Sequence, residues 1–427
     1  MTWPVSLQGG AACPHGCAGD RVPGRARSHS TPIAPGEYRA WTTLPALQQP
    51  SWDAPDALPE ITARLAEAPG LVRPDEVRRL GRLLAGVAAG RYQVVQAGDC
   101  AEDPGACTPV GIGRKLAQLE ALAGVMAVNS GRPVVRVGRI AGQFAKPRSR
   151  PTEWVGGVEL PVYRGHLING PEPDAKLRRA DPARMLSCYR AAATTAGFLR
   201  RDAAVRGACP VGARTWTSHE ALVLDYELPL LRRTGDTGEL LLCSTHWPWI
   251  GDRTRQLDGA HVTLLAAVAN PVACKVGPGM DTGELLALCD RLDPRRTPGR
   301  LTLISRMGAG TVADRLPPLV AAVRREGHPV IWLCDPMHAN TITVPTGAEG
   351  LKTRLVTTVA REVRGFLTAV GAAGGIAGGL HLETTPDQVT ECVTDASRLH
   401  RVGEKYTSLC DPRLNPGQAL HIAACWH

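Results

Sequence analysis

Five basic side chains stand at or just beyond the ends of apolar runs in this chain: Arg139, Lys146, Arg253, Lys275 and Arg306. Taken singly, each reads as an ordinary solvated surface charge. Lys275 in PVACKVG and Arg306 in LTLISRMG resist that reading, because each sits at the C-terminal end of a run apolar enough to be buried. A lone buried cation is expensive. Several converging on one place require an anion, and phosphate or carboxylate is the natural candidate.

A second set has different chemistry. Cys100, His338 and Glu383, with Asp411 as a candidate fourth member, offer sulfur, nitrogen and oxygen donors. Each also has a plain reading, as a core thiol, a helix-cap residue or a strand-end charge. Together they would make a mixed ligand sphere for a divalent metal. Their wide spacing is unlike a CxxC zinc pattern. The short run CPHGC (13–17) lacks a second ligand pair, which argues against a metal knuckle there.

Both sets need a scaffold that gathers distant residues. From residue 91, nearly continuous apolar runs recur at 92–98, 132–140, 213–219, 239–245, 271–277, 300–308, 328–336 and 378–384. Such runs fit parallel strands buried on both faces. Helical patterns lie between several of them, at 114–128, 281–292 and 315–327. Eight strands with intervening helices indicate an α/β fold, a (β/α)8 barrel, whose site lies at the C-terminal ends of the strands. Both residue sets fall at those ends. The expected organisation is a flexible leader (1–35), an N-terminal helical extension (36–90) and a catalytic barrel (91–427). The barrel carries a helical insertion at about 149–212, after the second strand.

The composition fits this reading. The chain has 427 residues, 44% hydrophobic and 21% charged, which excludes a disordered or fibrous class. No apolar run approaches the roughly 18 residues of a membrane span. The net charge of +9 is dispersed, and no nucleic-acid-binding motif accompanies it. Thirteen scattered cysteines read as buried thiols rather than a disulfide framework, and the N-terminus lacks a signal-peptide pattern. A cytoplasmic protein without nucleic-acid or membrane partners is expected.

The runs QAGDCAE (96–102), RVGRIAGQFAKPRS (136–149), TSHEALVLDYE (217–227), WIGDRTRQLDGAH (249–261), NPVACKVGP (270–278), DPRRTPGRLTLISRMG (293–308), GGLHLETTPDQVTEC (378–392) and CDPRLNPGQAL (410–420) resemble, in order, the type II 3-deoxy-D-arabino-heptulosonate 7-phosphate (DAHP) synthases. The resemblance spans about residues 38 to 420. It implies a metal-dependent barrel enzyme that condenses phosphoenolpyruvate with erythrose 4-phosphate and releases phosphate, opening the shikimate pathway. It places the metal on Cys100, His338, Glu383 and Asp411. Manganese is the leading metal, with cobalt, iron or zinc as alternatives. Phosphoenolpyruvate falls to Arg139, Asp252, Arg253, Lys275 and Arg306. The aldehyde phosphate falls near Lys146, Arg148, Ser149 and Lys352. Glu220 and Asp252 are candidates to position or deprotonate the water that adds during turnover, or else to orient neighbouring cations. A homodimer or higher homo-oligomer is implied as well.

The chain departs from the family pattern at Ala97, where glycine is usual, at Asp252, where glutamate is usual, and at His166, where aspartate is usual. The loop before Lys352 also looks extended. These departures keep open a related reaction in a natural-product pathway, with another aldehyde such as an amino or imino analogue. A non-catalytic homologue would be expected to lose a metal ligand, and all four are present. The segment 182–201 reads as a helix that packs on the barrel, on a second subunit or in a regulatory element.

Overall fold

A computed structural model describes residues 30–207, 211–345 and 350–427. Most of the stretch read as a leader, including CPHGC, lies outside the described residues. Its end does not: Ser30–Pro32 pairs antiparallel with Leu231–Thr234, which also pairs with Leu240–Leu242. The neighbouring Ile33 is buried, anchoring this strand to the main core.

Eight parallel strands close a barrel. They are β1 (Gln93–Gly98), β2 (Val134–Arg139), β3 (Thr215–Glu220), β4 (Trp247–Ile250), β5 (Val272–Val276), β6 (Leu301–Ser305), β7 (Ile331–Cys334) and β8 (Ala377–Glu383), with β8 pairing back onto β1. A helical segment follows each strand before the next begins or the chain ends. Seven strands coincide with the expected runs. The fourth does not. The run 239–245 contributes Leu240–Leu242 to the small antiparallel sheet, and the barrel strand is the WPWI that follows. Pro248 argues against a central strand in sequence, since it removes a ladder donor. Here Trp247 and Trp249 bury large side chains in the barrel interior, which outweighs that cost.

Side-chain alternation along the strands divides the core into two parts. On β5, Val272, Cys274 and Val276 face the helical layer, whereas Ala273 joins the interior. The interior cluster contains Val94, Val137, Trp216, Trp247, Trp249, Ile304 and Leu333. Leu80, Leu84 and Val87 of the helix Pro74–Ala88 belong to the same cluster, so the N-terminal extension packs onto the barrel core. That helix begins at Pro74, and Glu76 accepts a hydrogen bond from the Arg73 N–H at 3.0 Å. The insertion after β2 contains a hairpin (Thr152–Val155 with Val158–Pro161) and the long helix Ala183–Arg206. Gly156 and Gly157 both take positive φ in the two-residue hairpin turn. The helix packs against Leu58–Glu67 of the N-terminal extension, which supplies a partner within the chain itself.

Candidate active site

The strand ends converge as barrel geometry requires. Cys100 lies two residues beyond β1, Glu383 ends β8, and Asp411 comes from the loop after β8. Ligand atoms of these three lie within 4.8 Å of one another. The Cys100 thiol points to Asp411 Oδ2 at 3.7 Å and accepts the Asp411 N–H at 3.3 Å. His338, after β7, brings Nε2 to 3.2 Å from Glu383 Oε1, and its Nδ1 lies 2.7 Å from Asp335 Oδ2. An acidic partner on the far ring nitrogen is the arrangement that orients a metal-ligating histidine.

The electrostatics of this donor set suit a divalent cation. Burial by itself would raise the Glu383 carboxyl, but His338, Lys146, Arg354 and Arg139 hold it well below the ordinary range. Asp411 is likewise lowered, with Lys146 the leading cause against burial. Burial, a hydrogen bond with Cys410 and the charge of Glu383 push the Cys100 thiol up. A thiol in that condition becomes a ligand when a metal displaces its proton. Two ionised carboxylates, an imidazole and a thiol fit manganese, iron, cobalt or zinc by donor type.

The five suspected cations meet beside this set. Arg139, Lys146, Arg253, Lys275 and Arg306 line one cavity of about 80 Å³, together with Gln143, Glu220, Trp249, Asp252, His338 and Asp411. Alternation turns Lys275 inward with Ala273. Lys275 pairs with the fully buried Asp335, and burial pushes the lysine down to about 8 against that attraction. Lys146 Nζ lies 3.2 Å from Glu383 Oε1 and 3.6 Å from Asp411 Oδ2. Arg306 Nη1 is 2.6 Å from Asp252 Oδ2, and Arg255 Nε is 3.0 Å from Asp252 Oδ1. Glu220 is half-buried overall, but its Oε1 is buried and unpartnered among the described residues, and desolvation raises its carboxyl.

The residues expected around the aldehyde phosphate divide between neighbouring positions. Arg148 and Ser149 line an adjoining cavity of about 550 Å³ with Arg150, Arg164 and Arg178. Arg253 Nη2 donates to Ser149 Oγ at 2.6 Å and so bridges the two spaces. Arg148 is turned to Glu153 at 3.0 Å. Lys352 lines neither cavity; it reaches Asp411 Oδ1 at 2.9 Å from the hairpin Ile342–Val344 with Leu351–Thr353. The loop joining that hairpin lies in part outside the described residues.

The departures have separate addresses. Ala97 packs in the cluster of the helical layer rather than in the site. His166 edges against Tyr163 and lies 3.9 Å from Asp103, outside the residues lining the central cavity. Only Asp252 touches the site directly.

Supporting parts fall to residues for which the sequence carried no assigned role. Asp335 holds both Lys275 and His338. Arg354 lies 3.0 Å from Glu383 Oε2 with both side chains fully buried. The Glu102 carboxylate accepts the N–H groups of Ala141, Gly142 and Gln143 at 2.9 to 3.2 Å. It thereby steadies a loop in which Ala141 takes a φ of 65°. An i, i+3 spacing of Asp335 and His338 was the one local signal among these.

A closed barrel with buried cations around a small cavity, edged by thiol, imidazole and carboxylates, defines an anion-handling barrel enzyme with a site suited to a metal. The chain matches the Class-II DAHP synthetase family over residues 37–209 and 211–426. The protein belongs to that family and is an enzyme of the DAHP synthase, transferase type. It is 55% identical over 381 residues to a probable phospho-2-dehydro-3-deoxyheptonate aldolase of Pseudomonas fluorescens, covering 89% of this chain and 94% of that one. It is 39% identical over 436 residues to the phospho-2-dehydro-3-deoxyheptonate aldolase of Streptomyces coelicolor, covering 91% and 96%. Among solved structures, the phospho-2-dehydro-3-deoxyheptonate aldolase of Francisella tularensis SCHU S4 shares the fold. Its TM-score is 0.50 at 13% identity, covering 85% of this chain and 95% of that one.

Proposed function

We propose that the protein condenses phosphoenolpyruvate with erythrose 4-phosphate to form DAHP and phosphate, with manganese held by Cys100, His338, Glu383 and Asp411. The observation that carries this reading is the convergence of Arg139, Lys146, Arg253, Lys275 and Arg306 on one cavity beside that donor set.

A bound metal ion supplies a Lewis acid that makes the aldehyde carbonyl electrophilic. Arg139, Lys275 and Arg306 hold the phosphate and carboxylate of phosphoenolpyruvate, fixing its enol carbon in attack geometry. Their charge also stabilises the anionic groups as the reaction proceeds. Lys146, Arg253 and Ser149 hold the aldehyde phosphate at the opening toward the larger cavity. Glu220, whose raised carboxyl faces the cavity, takes the proton of the water that adds to the cationic carbon. Asp252 is held by Arg306 and Arg255 and orients the first of these.

The test is phosphoenolpyruvate consumption with manganese and erythrose 4-phosphate, followed by loss of enol absorbance and release of phosphate. Rapid, EDTA-sensitive loss is expected. No loss in protein that binds both metal and phosphoenolpyruvate would move the reading to another aldehyde, such as an amino analogue in a natural-product pathway. We further infer a cytoplasmic homodimer or larger homo-oligomer, which light scattering of the purified chain tests. No helix among the described residues is long and apolar enough to cross a membrane.

A further inference from the structure

Below the cavity, four barrel strands share one polar layer. Gln96 of β1, Ser218 of β3 and His381 of β8 are fully buried there, and the Trp247 carbonyl of β4 completes it. Ser218 Oγ donates to the Trp247 carbonyl at 2.5 Å, and Gln96 Nε2 donates to Ser218 Oγ at 2.6 Å. Gln96 Oε1 lies 2.7 Å from His381 Nδ1, and His381 Nε2 lies 2.6 Å from Arg139 Nη1.

Only one set of proton positions satisfies every link. A guanidinium donates and never accepts, so His381 Nε2 must offer a lone pair to Arg139. The proton of a neutral ring then sits on Nδ1 and is donated to Gln96 Oε1. That fixes the Gln96 amide with its NH2 toward Ser218, whose own proton goes to Trp247. Reversing the amide would face a donor against the Nδ1 proton. The ring is further held by Trp249, which meets it edge-to-face at a centroid distance of 5.2 Å and lies 5.3 Å from the Arg139 guanidinium carbon.

The rest of Arg139 is equally constrained. Nε donates to the Asp99 carbonyl at 3.1 Å, and Nη2 donates to the Cys100 carbonyl at 3.3 Å and to Glu383 Oε1 at 3.0 Å. With the bond to His381, four of the five N–H groups of the guanidinium have partners among the described residues. The fifth is on Nη1, the nitrogen that His381 holds, and Arg139 lines the cavity.

We propose that Gln96, His381 and Ser218 are positioning residues for phosphoenolpyruvate: their directional relay sets Nη1 of Arg139 so that its remaining N–H meets the bound anion. The proposal rests on the reading of Arg139 as an anion-binding residue. It makes part of substrate affinity depend on side chains that never touch substrate.

The test is calorimetric titration of the full-length, manganese-loaded protein with phosphoenolpyruvate. Gln96→Met breaks the relay without altering Arg139. It is expected to weaken phosphoenolpyruvate binding about tenfold, the loss of one charge-assisted hydrogen bond, and to leave the KM for erythrose 4-phosphate unchanged. In an Arg139→Ala background the same substitution should cost less than about twofold, because the group it positions is gone. Ser218→Ala, a smaller change, should weaken binding about threefold with the same dependence on Arg139; it carries the test if Gln96→Met does not fold. Wild-type binding in both relay variants, or an undiminished loss on top of Arg139→Ala, would overturn the proposal while leaving the anion site intact. Wild-type binding in Arg139→Ala itself would overturn the anion-site reading, and the positioning proposal with it.

Discussion

Asp252 Oδ2 lies 2.6 Å from Nη1 of Arg306, and the other oxygen of the same carboxylate takes Nε of Arg255 at 3.0 Å. Both oxygens are occupied by guanidinium groups, and a Cβ at Gly277 would stand 3.0 Å and 3.3 Å from them, tighter than an ordinary van der Waals contact. This engagement makes Asp252 a poor base for water and a good orienter of Arg306.

Asp252→Ala is therefore expected to raise the KM for phosphoenolpyruvate about tenfold, in the range for losing a hydrogen bond to a charged group. The effect on kcat should be smaller. Asp252→Glu adds a methylene within the same cavity and should shift aldehyde preference. Steady-state kinetics with both substrates varied checks each effect, and an unchanged preference in Asp252→Glu would remove that departure from consideration.

The buried carboxyl of Glu220 answers to a different measurement. Its backbone N–H is held by the Gln143 side chain at 3.0 Å, and Gly251 backs its side chain so closely that a Cβ there would meet Oε1. Glu220→Gln preserves shape and removes the proton acceptor. The expected outcome is a fall in kcat of about 100-fold with phosphoenolpyruvate affinity retained. A fall in affinity with normal kcat would return Glu220 to the orientation of neighbouring cations.

Lys275 sets a pH limit. Burial pushes its ammonium down to about 8, while Asp335 pulls it back up. Only the charged form attracts the anionic substrate, so affinity is full below that value and declines as pH rises through it. Phosphoenolpyruvate Kd should weaken about tenfold per pH unit above the transition. Lys275→Arg, charged throughout, should lose this limb even if its affinity at pH 7 is lower. An identical pH profile in both proteins would exclude Lys275 as the titrating group.

Metal dependence should follow the donor set. Cys100→Ser and His338→Ala are expected to lower bound manganese, measured by atomic absorption after dialysis, and to reduce turnover in step. EDTA should inactivate the wild type, with recovery on readdition of metal. Full metal content and full activity in either variant would displace that residue from the ligand set.

The barrel core offers a check on the role of the N-terminal helix. Leu84 is fully buried against the interior cluster. Leu84→Ala should cost about 3 kcal/mol in stability, read from urea unfolding. A loss near zero would mean that the helix is not integral to the core.

Much of this molecule was legible along the chain. Strands such as Val272–Val276 are buried on both faces, so they read as apolar runs whatever their neighbours are. Lys275 and Arg306 stood out for the same reason, since a charge at the end of such a run has no exposed face to occupy. The fourth strand escaped because Leu240–Leu242 and Trp247–Ile250 are both apolar and short, and only pairing separates the antiparallel strand from the barrel strand.

What the sequence by itself determined is the inventory: seven of the eight barrel strands, five cations, four candidate metal donors, and a motif order specific enough to name a family. What tertiary structure decided is who answers to whom. Barrel closure brings Gln96 to His381 across 285 positions and His381 to Arg139 across 242. It also gives Lys275 to Asp335 and leaves Ala97 and His166 away from the central cavity. Hydrogen bonds and ion pairs act over a few ångströms, and distance along the chain carries no record of them. The chemistry available was written in residue types; its directionality came from the closed sheet that holds them.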